Sequence, residues 1–108
     1  MMKRFSVPMF AVLAAFAMAL VFPSTMRAQD AASLYKSKCA ACHGPDGTGS
    51  AMGKKMGAQD FTSADVQKLS DTELADIITN GKGKMPAYKS LTADQVKDLV
   101  AYIRTMKK

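Results

Sequence analysis

The chain of 108 residues has no tryptophan, a single histidine and only two cysteines. Four of its five phenylalanines lie in the first 22 residues, so Phe61 stands alone beyond them. No acidic residue precedes Asp30. Each scarcity excludes something. A closed structural zinc site draws four ligands, usually from two separated pairs of cysteine or histidine, and here all three candidates fall in one run of five residues, 39–43. Two cysteines cannot make the disulfide framework that staples many small exported domains. The lysines are dispersed and lack interleaved aromatics, which argues against a nucleic-acid interface. No stretch alternates apolar and polar residues as a half-buried strand would.

The missing acids mark a leader. Lys3 and Arg4 precede an uncharged apolar run from Val7 to Phe22, followed by Pro23, Ser24 and Ala28. A positive start, a short apolar segment and a small-residue exit describe a secretory signal peptide. Cleavage after Ala28 is expected, which divides the chain into a leader, 1–28, and one domain, 29–108. The apolar run is shorter than the ~20 residues a spanning helix needs. The alternative is an uncleaved leader that anchors the same domain to the membrane. Three of the fifteen basic residues (Lys3, Arg4, Arg27) lie in the leader and all nine acids lie beyond it, leaving the domain mildly basic at +3. Eighty residues with so few large apolar side chains bury little surface alone, and domains of that size usually need a staple or a bound group.

Cys39-Ala40-Ala41-Cys42-His43 offers one. A Cys-x-x-Cys-His run is a site for covalent haem attachment. Two thiols on one helical turn can each add to a vinyl group on the same porphyrin edge, and the imidazole that follows is carried under the ring to bind iron. A thiol-disulfide pair is the competing reading, but that motif belongs between a strand and a helix.

Around this run the pattern is all-α, with three main helices. Asp30 is expected to cap the first, carrying Ala31, Leu34, Tyr35 and Lys38 toward the cysteines and ending near His43. Residues 44–60 hold five glycines without apolar periodicity and read as a long loop. Ser63 caps a short turn through Val66 and Leu69. Ser70 with Glu73 forms a capping box, with Leu69 and Leu74 as its staple, and Asn80-Gly81 ends the helix. Thr92 with Gln95, and Leu91 with Val96, repeat the signal. Val96, Leu99, Val100 and Ile103 then follow at i, i+3, i+4, i+7 to about Lys107.

With one histidine in the chain, the far side of a haem must take another ligand or stay open. Met52, Met56 and Met85 are the candidates. The first two lie in the glycine-rich segment close to His43. Met85 lies on the distant loop between the last two helices, where Pro86 restricts its backbone and Gly81 and Gly83 permit close approach, so Met85 is the expected ligand. His/Met ligation raises the potential of a haem.

The segments Cys39-Ala40-Ala41-Cys42-His43-Gly44, Asn80 through Tyr88 (NGKGKMPAY) and Leu99-x-x-Tyr102 together resemble a small bacterial class I c-type cytochrome, over nearly the whole domain. The resemblance implies a cytochrome c-like fold wrapped around one haem c per chain. It implies thioether bonds from Cys39 and Cys42, iron ligation by His43 and Met85, and packing of the first helix on the last, with Tyr35 near Leu99 and Tyr102. One position departs: Ala31 stands where the family often has glycine at the helix crossing. The expected function is a soluble, monomeric, periplasmic carrier of single electrons between redox proteins, and not an enzyme. Lys36, Lys38, Lys54, Lys55, Lys82, Lys84 and Lys89 border the expected site and would steer it to acidic partners. The other readings are a haem protein with a displaceable methionine that binds gases or peroxide, and a haem-free thiol-disulfide protein.

Overall fold

A computed structural model describes residues 24–108. The leader expected over 1–28 lies outside the described residues up to position 23, and 24–28 belong to the first helix. Six helices follow in order among the described residues: α1 (Ser24–Lys38), α2 (Ala40–His43), α3 (Ala51–Lys55), α4 (Ala64–Gln67), α5 (Asp71–Asn80) and α6 (Ala93–Arg104). Among the described residues the one β-type pairing is an isolated bridge between Lys82 and Met85. The three long helices are α1, α5 and α6, as the sequence pattern predicts.

Helix α6 is the centre of the packing, with α1 on one side and α5 on another. Its apolar stripe, Val96, Leu99, Val100 and Ile103, is buried, as are Leu74 and Ile78 of α5 and Val66 of α4. Tyr35 of α1 and Leu99 of α6 are each 1 % exposed, the most enclosed side chains of the core. Tyr35 lies 5.1 Å from Tyr102, centroid to centroid. Ala31 is buried too, so the position that departs from the family pattern sits inside the α1 packing face.

Most of the helix starts read from sequence are formed. Thr92 and Gln95 make both bonds of a capping box. At α5 the Ser70 hydroxyl accepts from the Glu73 amide, and only that half of the expected box forms. Ser63 caps α4.

Three expectations need correction. In the full-length chain Asp30 is not a cap: α1 already runs at Ser24, because Ser-Thr-Met-Arg-Ala-Gln contains no residue that breaks a helix. Residues 44–60 are not wholly loop, since α3 is capped by the Ser50 side chain, which accepts from Gly53 N. Helix α6 stops at Arg104 rather than near Lys107. Cys39 interrupts the first helix with φ −116°, ψ −35°, yet His43 N still bonds Cys39 O at 2.9 Å, so the helical course continues to His43.

Candidate haem site

The five-residue run begins at Cys39, just past the end of α1, and fills all of α2. Cys39 and Cys42 are both free thiols, partly buried. Cys39 packs against the core. Burial pushes its thiol up to about 11, against the opposing pull of Lys38. A reactive thiol-disulfide cysteine needs the opposite shift.

His43 is half-buried, and its ring stacks on Phe61 with centroids 4.3 Å apart and planes at 24°. Burial lowers its pKa below the ordinary value, while the Gln59 backbone nearby acts in the other direction. Its Nδ1 is buried, and no hydrogen bond reaches it from the described residues. Burial therefore keeps the ring neutral, the form a metal requires.

Two groups hold this turn in place. The Tyr35 hydroxyl donates to Gly44 O at 2.6 Å from within the core. Burial, then the neighbouring Cys39, drives the pKa of Tyr35 well above the usual tyrosine range. On the other side Ser50 Oγ donates to Ala41 O at 2.7 Å, and Ser50 N donates to Cys42 O at 3.0 Å. The same hydroxyl accepts from Gly53 N at 3.0 Å, so one side chain links α2 to the start of α3. The loop between them returns through Gly49 N, which donates to His43 O at 2.7 Å.

The second arm is the segment between α5 and α6. Gly81, at φ +75°, ends α5, and a Cβ there would lie 2.5 Å from Met85 O. Lys82 and Met85 exchange both backbone bonds, 3.2 and 2.9 Å, which closes a tight loop beneath the Met85 side chain. Tyr88 then ties the loop down. Its amide donates to Ile78 O at 3.1 Å, and its hydroxyl donates to Lys38 O at 3.0 Å, one residue before Cys39. The pKa of Tyr88 is raised by burial and then by the two thiols, Cys39 and Cys42. The loop that carries Met85 is thus bonded to the stretch that carries both cysteines.

The three candidate methionines differ in setting. Met85 is partly buried and packs on the core, whereas Met52 and Met56 on and beside α3 are 55 % and 43 % exposed. Sequence reasoning missed Phe61 as a neighbour of His43, and missed Ser50, Gly53 and Tyr88 as the ties. Phe61's isolation as the one phenylalanine beyond residue 22 was the available signal.

The donor set suits a covalently held haem: two free thiols one turn apart, a neutral imidazole beside them, and a thioether on an adjacent loop. The partnerless Nδ1 fits as well, since a neutral imidazole that gives one nitrogen to a metal carries its proton on the other.

Comparison with known proteins agrees. The family model described as "Cytochrome C oxidase, cbb3-type, subunit III" matches residues 26–103. Cytochrome c6 of Rippkaea orientalis is 35% identical over 94% of this chain and 92% of its own length. Cytochrome c6 of Gloeothece citriformis is 33% identical over 70% of this chain and 68% of its own. A solved structure described as "KustC0563 c-type cytochrome" superposes with a TM-score of 0.67 at 34% identity, over 72% of this chain and 98% of that one. The chain belongs to the c-type cytochrome family matched by that model, as a small class I member that binds haem c covalently and serves as an electron carrier with redox partners, not as an enzyme.

Proposed function

We propose that this chain is a monohaem carrier with His43 and Met85 as the iron's axial ligands and Cys39 and Cys42 as its thioether anchors. The observation that carries the reading is the difference among the methionines: Met85 alone of the three candidates is part-buried against the core, on a loop that Tyr88 bonds to the cysteine turn. The haem supplies one reversible ferric–ferrous electron exchange.

The protein's own groups do the rest. Cys39 and Cys42 fix the group to the backbone at two points. His43, kept neutral by burial, supplies nitrogen. Met85 supplies a soft thioether, which favours the ferrous state more than a second imidazole would. If His43 and Met85 both held the iron, no place would be left on it for a substrate, and side chains fixed by packing would change little between oxidation states.

We assign residues 1–28 to a cleaved export signal and the domain to the periplasm, working as a monomer. No helix among the described residues is long and apolar enough to cross a membrane. Lys36, Lys38, Lys54, Lys55, Lys82, Lys84 and Lys89 are all exposed. They flank the two arms of the site in sequence and would give it a positive border that suits an acidic redox partner. Electron-transfer rates that fall as salt is added support this docking mode, and rates indifferent to salt refute it.

The test of the whole reading is the optical spectrum of the exported protein, reduced and oxidised, followed by denaturation. Colour that stays with the unfolded polypeptide supports covalent haem, and a colourless protein returns the thiol-disulfide alternative. Refusal of carbon monoxide by the reduced protein at neutral pH supports the two side-chain ligands. Ready binding returns the gas-binding alternative.

A further inference from the structure

Metal-bound histidines are ordinarily oriented by a hydrogen bond from the second ring nitrogen to a carbonyl or carboxylate. At His43 the Gln59 backbone is the polar group beside the ring, and it leaves Nδ1 buried without a hydrogen bond of ordinary geometry. The torsion that sets an imidazole plane is broad and two-fold, so what packs on the faces of the ring bears on its plane as well. What touches it is the flat face of Phe61, 4.3 Å away and inclined by 24°.

Phe61 is itself fixed on every side. Its amide donates to Gly47 O at 2.8 Å. Its carbonyl accepts from Gln67 Nε2 at 2.6 Å, and the same nitrogen donates to Ile103 O at 3.0 Å. Both partners are carbonyl oxygens, so the amide NH₂ must face them and the Gln67 orientation is not arbitrary. Gly47, at φ +81°, passes so close that a Cβ would lie 3.1 Å from Phe61 Cβ. The far edge of the ring meets Tyr35 in a T-shaped contact at 6.3 Å.

We infer that Phe61, anchored through Gln67 to the end of α6, is a positioning residue that sets the plane of the His43 imidazole and so tunes the iron that His43 binds. This rests on the assignment of His43 as an axial ligand. Stacking adds here to what a hydrogen bond does elsewhere, and the aromatic face it needs is the one phenylalanine beyond residue 22.

The plane of an axial imidazole is read by the g values of the ferric electron paramagnetic resonance spectrum and by the spread of the haem methyl proton shifts, neither of which follows stability. Phe61→Leu keeps an apolar filler and removes the flat face. It is expected to shift the g values and redistribute the methyl shifts. Phe61→Tyr keeps a six-membered ring and is expected to retain the parent pattern. Parent g values in Phe61→Leu, or a Phe61→Tyr spectrum displaced as far as that of the leucine variant, overturn the inference.

Should Phe61→Leu fail to mature, Gln67→Leu decides. It frees the Phe61 carbonyl without touching the ring, a shift in g values supports the inference, and an unchanged spectrum overturns it. Pulsed resonance on the parent separates the two levels of the argument. If no coordinated imidazole nitrogen couples to the iron, the ligand assignment falls and takes this inference with it. If the coupling is present while the variants' g values stay fixed, the positioning role alone falls.

Discussion

A Cβ added at Gly53 would lie 1.7 Å from the carbonyl oxygen of Cys42. That distance is far inside any contact, and the obstacle is backbone, which cannot swing aside. Helix α3 sits on the cysteine turn only because residue 53 has no side chain. Gly53→Ala must therefore push α3 off α2 and break the Ser50 bonds to Ala41 and Cys42. The expected cost is about 3 kcal/mol, the upper end of what over-packing imposes. Urea unfolding of the holoprotein measures it, and haem-stained gels should show less mature protein. Ser50→Ala, which loses one cap, should cost about 1 kcal/mol.

Tyr88 joins the Met85 loop to the last carbonyl of α1 through a hydroxyl bond of 3.0 Å at the protein surface. Tyr88→Phe keeps the ring and removes that bond. Stability should fall by about 1 kcal/mol or less. The sharper signature is kinetic. If Met85 holds the iron as proposed, a loosened loop lets it leave more often, and cyanide should bind the ferric variant several-fold faster than the parent. An unaltered cyanide rate would mean that Gly81 and the Lys82–Met85 pairing hold the loop without help from Tyr88.

Arg104 and Asp71 look like an ion pair, at 2.9 Å, but the Asp71 side chain is 78 % exposed and the Arg104 side chain 28 %. Exposed pairs contribute little. The same guanidinium also donates to the carbonyls of Gln67 and Leu69, closing the turn between α4 and α5 onto α6. Its value lies in those bonds. Asp71→Asn should change stability by less than about 0.5 kcal/mol, whereas Arg104→Ala should cost about 2 kcal/mol. Arg104→Lys should recover little, since a point charge cannot span three acceptors. Thermal or urea melts of the three variants check the order, and equal effects from Asp71→Asn and Arg104→Ala would reverse the assignment.

The parts of this fold written in local sequence were readable: the Thr92–Gln95 box, the α6 stripe, the glycine that ends α5, and the cysteine turn. What sequence hid depends on approach between distant segments. Ser50 is an unremarkable serine until Gly53 lets α3 settle on Cys42, so five glycines looked like pure loop. Asp30 resembles a cap, but capping is decided by where the preceding residues stop being helical, and in the full-length chain they do not stop before it. Phe61 is legible as a lone aromatic, yet its partner lies 18 residues back and is set by the Gly47 turn and by Gln67. Met85 was legible as a loop methionine before a proline, and its partial burial separates it from Met52 and Met56.

Removing the Met85 thioether tests the ligand choice most directly. Met85→Ala leaves Cys39, Cys42 and His43 in place, so haem attachment should persist. On the proposed ligation the iron would lose its soft donor, and oxygen or nitrogen ligands from solvent would favour the ferric state. The potential should fall by on the order of 100 mV or more, because His/Met ligation is what raises it. Carbon monoxide should now bind the reduced variant at neutral pH. Loss of a half-buried methionine from the core also costs about 2 kcal/mol, at the low end for such truncations. Destabilisation alone would not move the potential of the folded protein that far, so redox titration separates the two effects. A variant that keeps the parent's potential and still refuses carbon monoxide would transfer the role to Met52 or Met56, and Met52→Ala and Met56→Ala measured side by side would say which.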